Sequence, residues 1–193
     1  MRIVGVGCGP GLLTERATTI IQEADEVWGS ARAIALASRA LRVGCPVHEI
    51  EDYRGLRDLP RGAVVLSTGD PMLSGLGYLP GEVEPGVSSL QLALARLRVP
   101  WTRVAVLTAH GRDHEQAVAG AVDEIGRDRV VFLIADPAFP VPALAAALTS
   151  LGDDIRIAVC EDLGYPEERI VCGTARMPPA PSSSLFVLLA GHF

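Results

Sequence analysis

The stretch AVVLSTGDPMLSGLG, residues 63–77, decides how this chain folds. Its apolar start, Ala63 to Leu66, reads as a strand running through Ser67 and Thr68. The strand breaks abruptly at Gly69-Asp70-Pro71, with Gly75 and Gly77 close behind. Glycine and proline at this density punctuate a chain, so a tight loop must follow the strand. That loop carries one carboxylate, Asp70, and two apolar side chains, Met72 and Leu73. By itself the stretch supports a turn and nothing more.

Reading outward, the same strand-then-loop grammar recurs. Arg2 to Val6 is a compact strand that runs into Gly7-Cys8-Gly9-Pro10-Gly11, and Leu13, Ala17, Ile20, Ile21 and Ala24 then follow at helical spacing. Glu26 to Trp28 reads as a strand, Ser30 as the cap of a helix reaching about Ala40, and residues 46–50 as a weak strand. Val83-Glu84 precedes Pro85-Gly86-Val87-Ser88-Ser89, where Ser88 and Gln91 fit a capping box opening a helix from Ser89 to Leu97. Strands alternating with helices predict a mainly parallel, doubly wound sheet. After Val99-Pro100-Trp101 the pattern restarts, with a strand at Val104 to Thr108, the turn Ala109-His110-Gly111-Arg112 and a helix from Asp113 to Ile125. A strand at Arg129 to Ile134 and a helix with Pro142 in its first turn come next. Three later runs, Ile155 to Val159, Arg169 to Cys172 and Leu185 to Leu189, have no helices between them and are expected to pair partly antiparallel. The expected architecture is α/β with two lobes, residues 1–102 and 103–193, and a cleft between them.

Composition narrows the function classes. The net charge of −6 disfavours non-specific attraction to nucleic acid or anionic membrane. No apolar run approaches bilayer length, and the N-terminus enters a strand directly, so neither a membrane span nor a signal peptide is expected. Four scattered cysteines, Cys8, Cys45, Cys160 and Cys172, form no C-x-x-C pair. They predict a cytoplasmic chain with reduced thiols and no metal or redox site.

The glycine loops are ambiguous one at a time. In GVGCGPG, Pro10 or Leu12 stands where the third glycine of a dinucleotide fingerprint belongs, and Pro10 has no N–H to offer a pyrophosphate. A tight turn explains this loop as well as a ligand does. Together, the loops at 7–11, 68–77 and 85–89 all follow strands, where doubly wound sheets bind ligands. They suit a cationic or neutral ligand with an adenosine part better than a polyphosphate.

These loops, in this order, resemble the tetrapyrrole (corrin/porphyrin) methyltransferase family. The matching pieces are VGVGCGPG at Val4 to Gly11, STGDP at Ser67 to Pro71, PGVSSLQLALARLRVPW at Pro85 to Trp101 and LTAHGR at Leu107 to Arg112. The last two are most similar to the C-5 methyltransferase branch, which acts on cobalt-precorrin-7 and was formerly described with precorrin-6Y. The resemblance implies a tetrapyrrole methylase-like fold, a homodimer, a corrin-precursor substrate and S-adenosylmethionine in the interdomain cleft. It implies cofactor contacts from Cys8, Pro10, Asp70, Leu73, Ser88 and Ser89. Ala135 and Leu163 are placed with them by strand order alone. It places His110 and Arg112 at the tetrapyrrole, with Arg112 pairing a substrate carboxylate and His110 as the candidate base. In related two-part enzymes a decarboxylating C-15 methyltransferase unit follows on the same chain. Here that step is expected to fall to a separate protein.

Each of these residues also fits a purely structural role. Asp70 serves equally as a turn cap, His110 as a turn residue, Cys8 as a residue chosen for size, and Arg112 as a solvated surface residue. His48, His114 and His192 show no partner pattern in the sequence. The rival functions are another methylase of the same fold, acting on a different ring carbon, a protein or an RNA, and a non-catalytic cofactor or tetrapyrrole-binding module. One departure from the family is plain: Met72 to Glu84 is too short for a helix and a strand of normal length.

Overall fold

The computed structural model describes residues 1–193 apart from Arg112, Asp153 and the side chain of Ser74. The chain forms two compact units, Met1–Ser89 and Leu90–Phe193.

The first unit is built on five parallel strands: β1 (Arg2–Gly5), β2 (Glu26–Gly29), β3 (Val47–Glu49), β4 (Ala63–Ser67) and β5 (Glu82–Glu84), in the order β3-β2-β4-β1-β5. Alternate side chains point to opposite faces. Val4, Val27, Val64 and Leu66 pack with Ala17, Ile20 and Ile21 of α1 (Glu15–Gln22) and Ala33 and Ala37 of α2 (Ala31–Ala37). Thr14 and Ser30 cap these helices, their hydroxyls accepting from the N–H of Ala17 and Ala33. Helix α2 stops at Ala37, a turn short of the expected Ala40.

The opposite face is covered differently. Ile3 and Val65 cluster with Ile50, Leu56 and Leu79, of which Leu56 lies in a single 3-10 turn and Leu79 in a loop. Here the short Met72 to Glu84 segment shows how it fits. With Pro71 it holds both a helix and a strand, each cut to a minimum: α3 (Pro71–Ser74) is one turn and β5 is three residues. Glycines make the fold-back possible. A Cβ on Gly77 would stand 2.8 Å from the Pro71 carbonyl oxygen, and one on Gly81 at the same distance from that of Met1.

The second unit carries β6 (Val104–Thr108), β7 (Val130–Ile134), β8 (Arg156–Glu161), β9 (Arg169–Thr174) and β10 (Phe186–Gly191), ordered β6-β7-β10-β8-β9. In this sheet β6 and β7 are parallel neighbours. Strand β10 runs antiparallel between β7 and β8, and β9 pairs antiparallel with β8. The expected partly antiparallel arrangement is therefore found. Two helices, α5 (His114–Gly126) and α6 (Val141–Leu148), bury Ala121, Ile125, Leu144 and Leu148 against Val131, Leu133, Ile157 and Leu188. A further helix, α4 (Ser89–Leu97), follows the Pro85–Ser88 loop with the expected bounds.

Candidate active site

In the first unit the sheet order puts β1 between β4 and β5, so the loops that follow these three strands lie side by side. They are locked backbone to backbone. Val6 N donates to Ser67 O (2.9 Å), Gly69 N to Gly7 O (2.8 Å) and Cys8 N to Val87 O (2.9 Å). This closeness requires glycine. A Cβ on Gly86 would stand 2.2 Å from Gly69 O and 2.8 Å from Gly5 Cα, and one on Gly5 2.5 Å from Gly86 N. Gly7 and Gly69 also take positive φ, 82° and 69°, which only glycine adopts without strain.

Asp70 is the side chain that ties the loops together. Its Oδ1 accepts from Met72 N at 2.8 Å, capping α3, and its Oδ2 accepts from Gly86 N at 3.2 Å. The capping role and the position beside the neighbouring loops are both present. A carboxylate has about four acceptor positions, so two backbone bonds leave capacity for more. Around Gly69 the expected residues converge: a Cβ built there would lie 3.8 Å from Ser88 Cα and 3.9 Å from Cys8 Cβ. Ser88 is buried, Cys8, Leu73 and Ser89 are half-buried, and Pro10 is exposed. The structure thus gathers Cys8, Asp70 and Ser88, with Pro10, Leu73 and Ser89 on the same three loops. Residues 7–11, 68–77 and 85–89 contain no lysine or arginine. The platform is bare backbone, small side chains and one acid. It fits a ligand with hydroxyl groups and positive charge, and lacks the cations that polyphosphate sites use.

In the second unit β7 and β8 both run antiparallel to β10, so their carboxyl ends share one end of the sheet with that of β6. Residues after each come to that end: His110 after β6, Ala135 after β7 and Leu163 after β8. Ala109 N donates to Ile134 O at 2.8 Å, and Ala109 is fully buried, while His110 is exposed. Arg112 lies outside the described residues. Leu163 is buried in a loop where Asp162 and Gly164 both have positive φ and Gly164 N donates to Glu168 Oε2 at 2.8 Å.

Two residues at this end had no signal in the sequence. His114 Nε2 lies 3.1 Å from Asp136 Oδ2, and the same oxygen accepts from Gly111 N at 3.3 Å. The His114 ring, with the Gly111 and Ala138 N–H groups, holds the Asp136 carboxyl below its usual range despite some desolvation. The two residues are 22 positions apart, and only strand pairing brings them together. His48 also has partners, a stacked Trp28 ring and the Glu26 carboxylate at 3.6 Å.

Beside Leu163, Glu161 is buried and accepts from the N–H groups of Ser182 and Ser183, the Ser182 hydroxyl and the Arg169 guanidinium. Burial pushes its carboxyl up, but these donors outweigh it and hold the group at about 2. With every partner in place, this is a structural clamp on the segment leading into β10. Among the described residues, no group of three His, Cys, Asp or Glu side chains is arranged to hold a metal ion. No helix among them is long and apolar enough to cross a membrane.

Residues 2–178 match the sequence model of the tetrapyrrole (corrin/porphyrin) methylases. The chain belongs to this family. It is a methyltransferase, and its two α/β units are those of the tetrapyrrole methylase fold. A probable cobalt-precorrin-7 C(5)-methyltransferase of Methanocaldococcus jannaschii is 28% identical, over 86% of this chain and 85% of that protein. The precorrin-6Y C(5,15)-methyltransferase [decarboxylating] of Mycobacterium tuberculosis is 32% identical over 96% of this chain, which spans 50% of that longer protein. Among solved structures, the cobalamin biosynthesis precorrin-6Y methylase of Archaeoglobus fulgidus superposes with a TM-score of 0.77. It is 30% identical, with 99% of this chain and 96% of that one covered.

Proposed function

We propose that this tetrapyrrole methylase transfers a methyl group from S-adenosylmethionine to C-5 of a precorrin-7 or cobalt-precorrin-7 type intermediate in cobalamin biosynthesis. The observation that carries the reading is the interlock of the three loops after β1, β4 and β5, which forms a basic-free platform around Asp70. The choice of C-5 is supported by the near end-to-end similarity to a relative named for that carbon.

S-adenosylmethionine supplies an electrophilic methyl group on a positively charged sulfur. The chain's task is then chiefly alignment, which contributes about 7–11 kcal/mol where reacting groups are well oriented. Asp70 keeps acceptor capacity for ligand hydroxyls while bracing two loops. Cys8, Pro10, Leu73, Ser88 and Ser89 are proposed to line the same ligand, and Ala135 and Leu163 are proposed as further cofactor contacts. Arg112 is assigned to a substrate acetate or propionate, which guanidinium groups pair bidentately. As a carbon–carbon bond forms at C-5 and the carbon–sulfur bond breaks, the ring must lose one proton. His110 is the proposed acceptor. The resemblance also supports a homodimer, which light scattering on the purified chain checks.

Incubation with methyl-tritiated cofactor and cobalt-precorrin-7 tests the reading. The expected product carries one added methyl group, at C-5, and no carbon dioxide is released. Tight binding of S-adenosylhomocysteine without any transfer overturns the enzyme assignment and favours a carrier. Transfer to another ring carbon overturns the assignment to C-5.

A further inference from the structure

Histidine is an unexpected first residue for α5. The exposed N–H groups of a helix start favour acidic side chains there. Yet His114 directly follows the N-cap, Asp113, whose Oδ1 already accepts from Glu115 N and Gln116 N. The explanation lies across the end of the sheet. His114 meets Asp136, with 26% and 19% of the two side chains exposed, and its ring edge packs on Phe139 with centroids 5.4 Å apart. Asp136 in turn accepts from Gly111 N through Oδ2 and from Ala138 N at 2.9 Å through Oδ1. Gly111, at φ 61°, therefore sits in a turn fastened to the end of β7 twice: through Ala109 N on Ile134 O, and through its own N–H on Asp136. Next to it in the chain is the exposed His110.

We infer that Asp136, oriented by His114, is a positioning residue that sets the conformation of the His110-Gly111 turn and so the approach of His110 to the tetrapyrrole. The inference rests on the methyl-transfer reading above. Asp136 is well shaped for the task, because one oxygen serves both His114 and Gly111 while the other is held by Ala138. The imidazole, packed by its edge on Phe139, lies against the carboxylate and adds a third partner to the two N–H groups. A displacement of about 1 Å in a reacting group can cost about a hundredfold in rate, so a modest loosening of this turn has a large readout. A brace that served stability alone would lower the melting temperature and weaken both substrates equally. A positioning pair affects the tetrapyrrole and spares the cofactor.

The test compares Asp136→Ala, His114→Ala and His114→Gln, the last retaining a side-chain N–H donor. Steady-state methyl transfer to cobalt-precorrin-7 is expected to show at least a tenfold loss of kcat/KM for the tetrapyrrole in both alanine variants. The Kd for S-adenosylhomocysteine, measured by calorimetry, is expected to stay within twofold. His114→Gln is expected to recover most of the loss. Amide exchange at Gly111 is expected to rise at least tenfold in Asp136→Ala. Unchanged kcat/KM in the alanine variants overturns the inference, as does an equal loss of S-adenosylhomocysteine affinity or unchanged Gly111 exchange. If Asp136→Ala does not fold, the two His114 variants carry the same comparison, with Gly111 exchange read in His114→Ala. A wild-type chain that methylates no precorrin overturns the functional reading, and the inference about the turn is then decided by Gly111 exchange alone.

Discussion

Gly86→Ala is the sharpest test of the loop interlock. Gly86 has no positive φ that would itself penalise alanine, so the substitution probes space alone. The new Cβ would sit 2.2 Å from Gly69 O and 2.8 Å from both C and Cα of Gly5. Nonbonded heavy atoms are comfortable at about 3.5 Å, so the Gly69 carbonyl must retreat by about 1.3 Å or the 85–89 loop must lift away. Neither movement is local. Gly69 N is held by Gly7 O, Gly86 N by Asp70, and Cys8 N by Val87 O. Forcing a methyl into packed backbone costs about 1–3 kcal/mol, and each hydrogen bond broken adds about 1 kcal/mol. The expected outcome is about 2–4 kcal/mol of lost stability in urea unfolding and at least a tenfold weaker Kd for S-adenosylhomocysteine by calorimetry. Gly55→Ala is the control. It also lacks positive φ and meets nothing within 4 Å, so both measurements should stay near wild type. A Gly86→Ala protein with wild-type stability and affinity would refute the interlock as the basis of the site.

Replacing Glu161 by Gln should destabilise the chain by about 3 kcal/mol at pH 7, since its carboxyl is held at about 2 against an ordinary value of 4.5. That contribution is complete above about pH 4.5 and fades as the pH falls toward 2, so unfolding curves of wild type and Glu161→Gln should converge in acid; a constant gap would contradict the assignment. Asp70→Asn turns one acceptor into a donor facing Met72 N or Gly86 N, which should cost about 1–3 kcal/mol. Its S-adenosylhomocysteine affinity should fall with it, and retained affinity by calorimetry would count against the brace. Burial raises the Cys160 thiol to about 12, with Cys172, Glu168 and Glu161 adding to the effect, while Cys172 is exposed. Iodoacetamide at pH 7.5 should therefore label Cys172 in the folded chain and Cys160 only after unfolding, as peptide mass mapping will show.

The sequence by itself determined what depends on near neighbours. The apolar run Ala63 to Leu66, the helical spacing after Leu13, the Ser30 cap and the helix from Ser89 to Leu97 are all local patterns, and each appears in the fold. The three glycine loops were legible too, because a chain must bend where glycine and proline crowd. Tertiary structure alone decided what those loops do together. Only the order β3-β2-β4-β1-β5 sets Gly5, Gly69 and Gly86 against one another and gives Asp70 the Gly86 N–H as a partner 16 residues away. Likewise, the insertion of β10 between β7 and β8 brings Leu163 to the end of the sheet that carries Ala135. The contrast is clearest at His114 and Asp136. Histidine is not a residue that a helix start favours, and nothing near it in the chain announces its partner. Its partner arrives through the pairing of β6 with β7, a long-range contact for which neither segment carries a local signature.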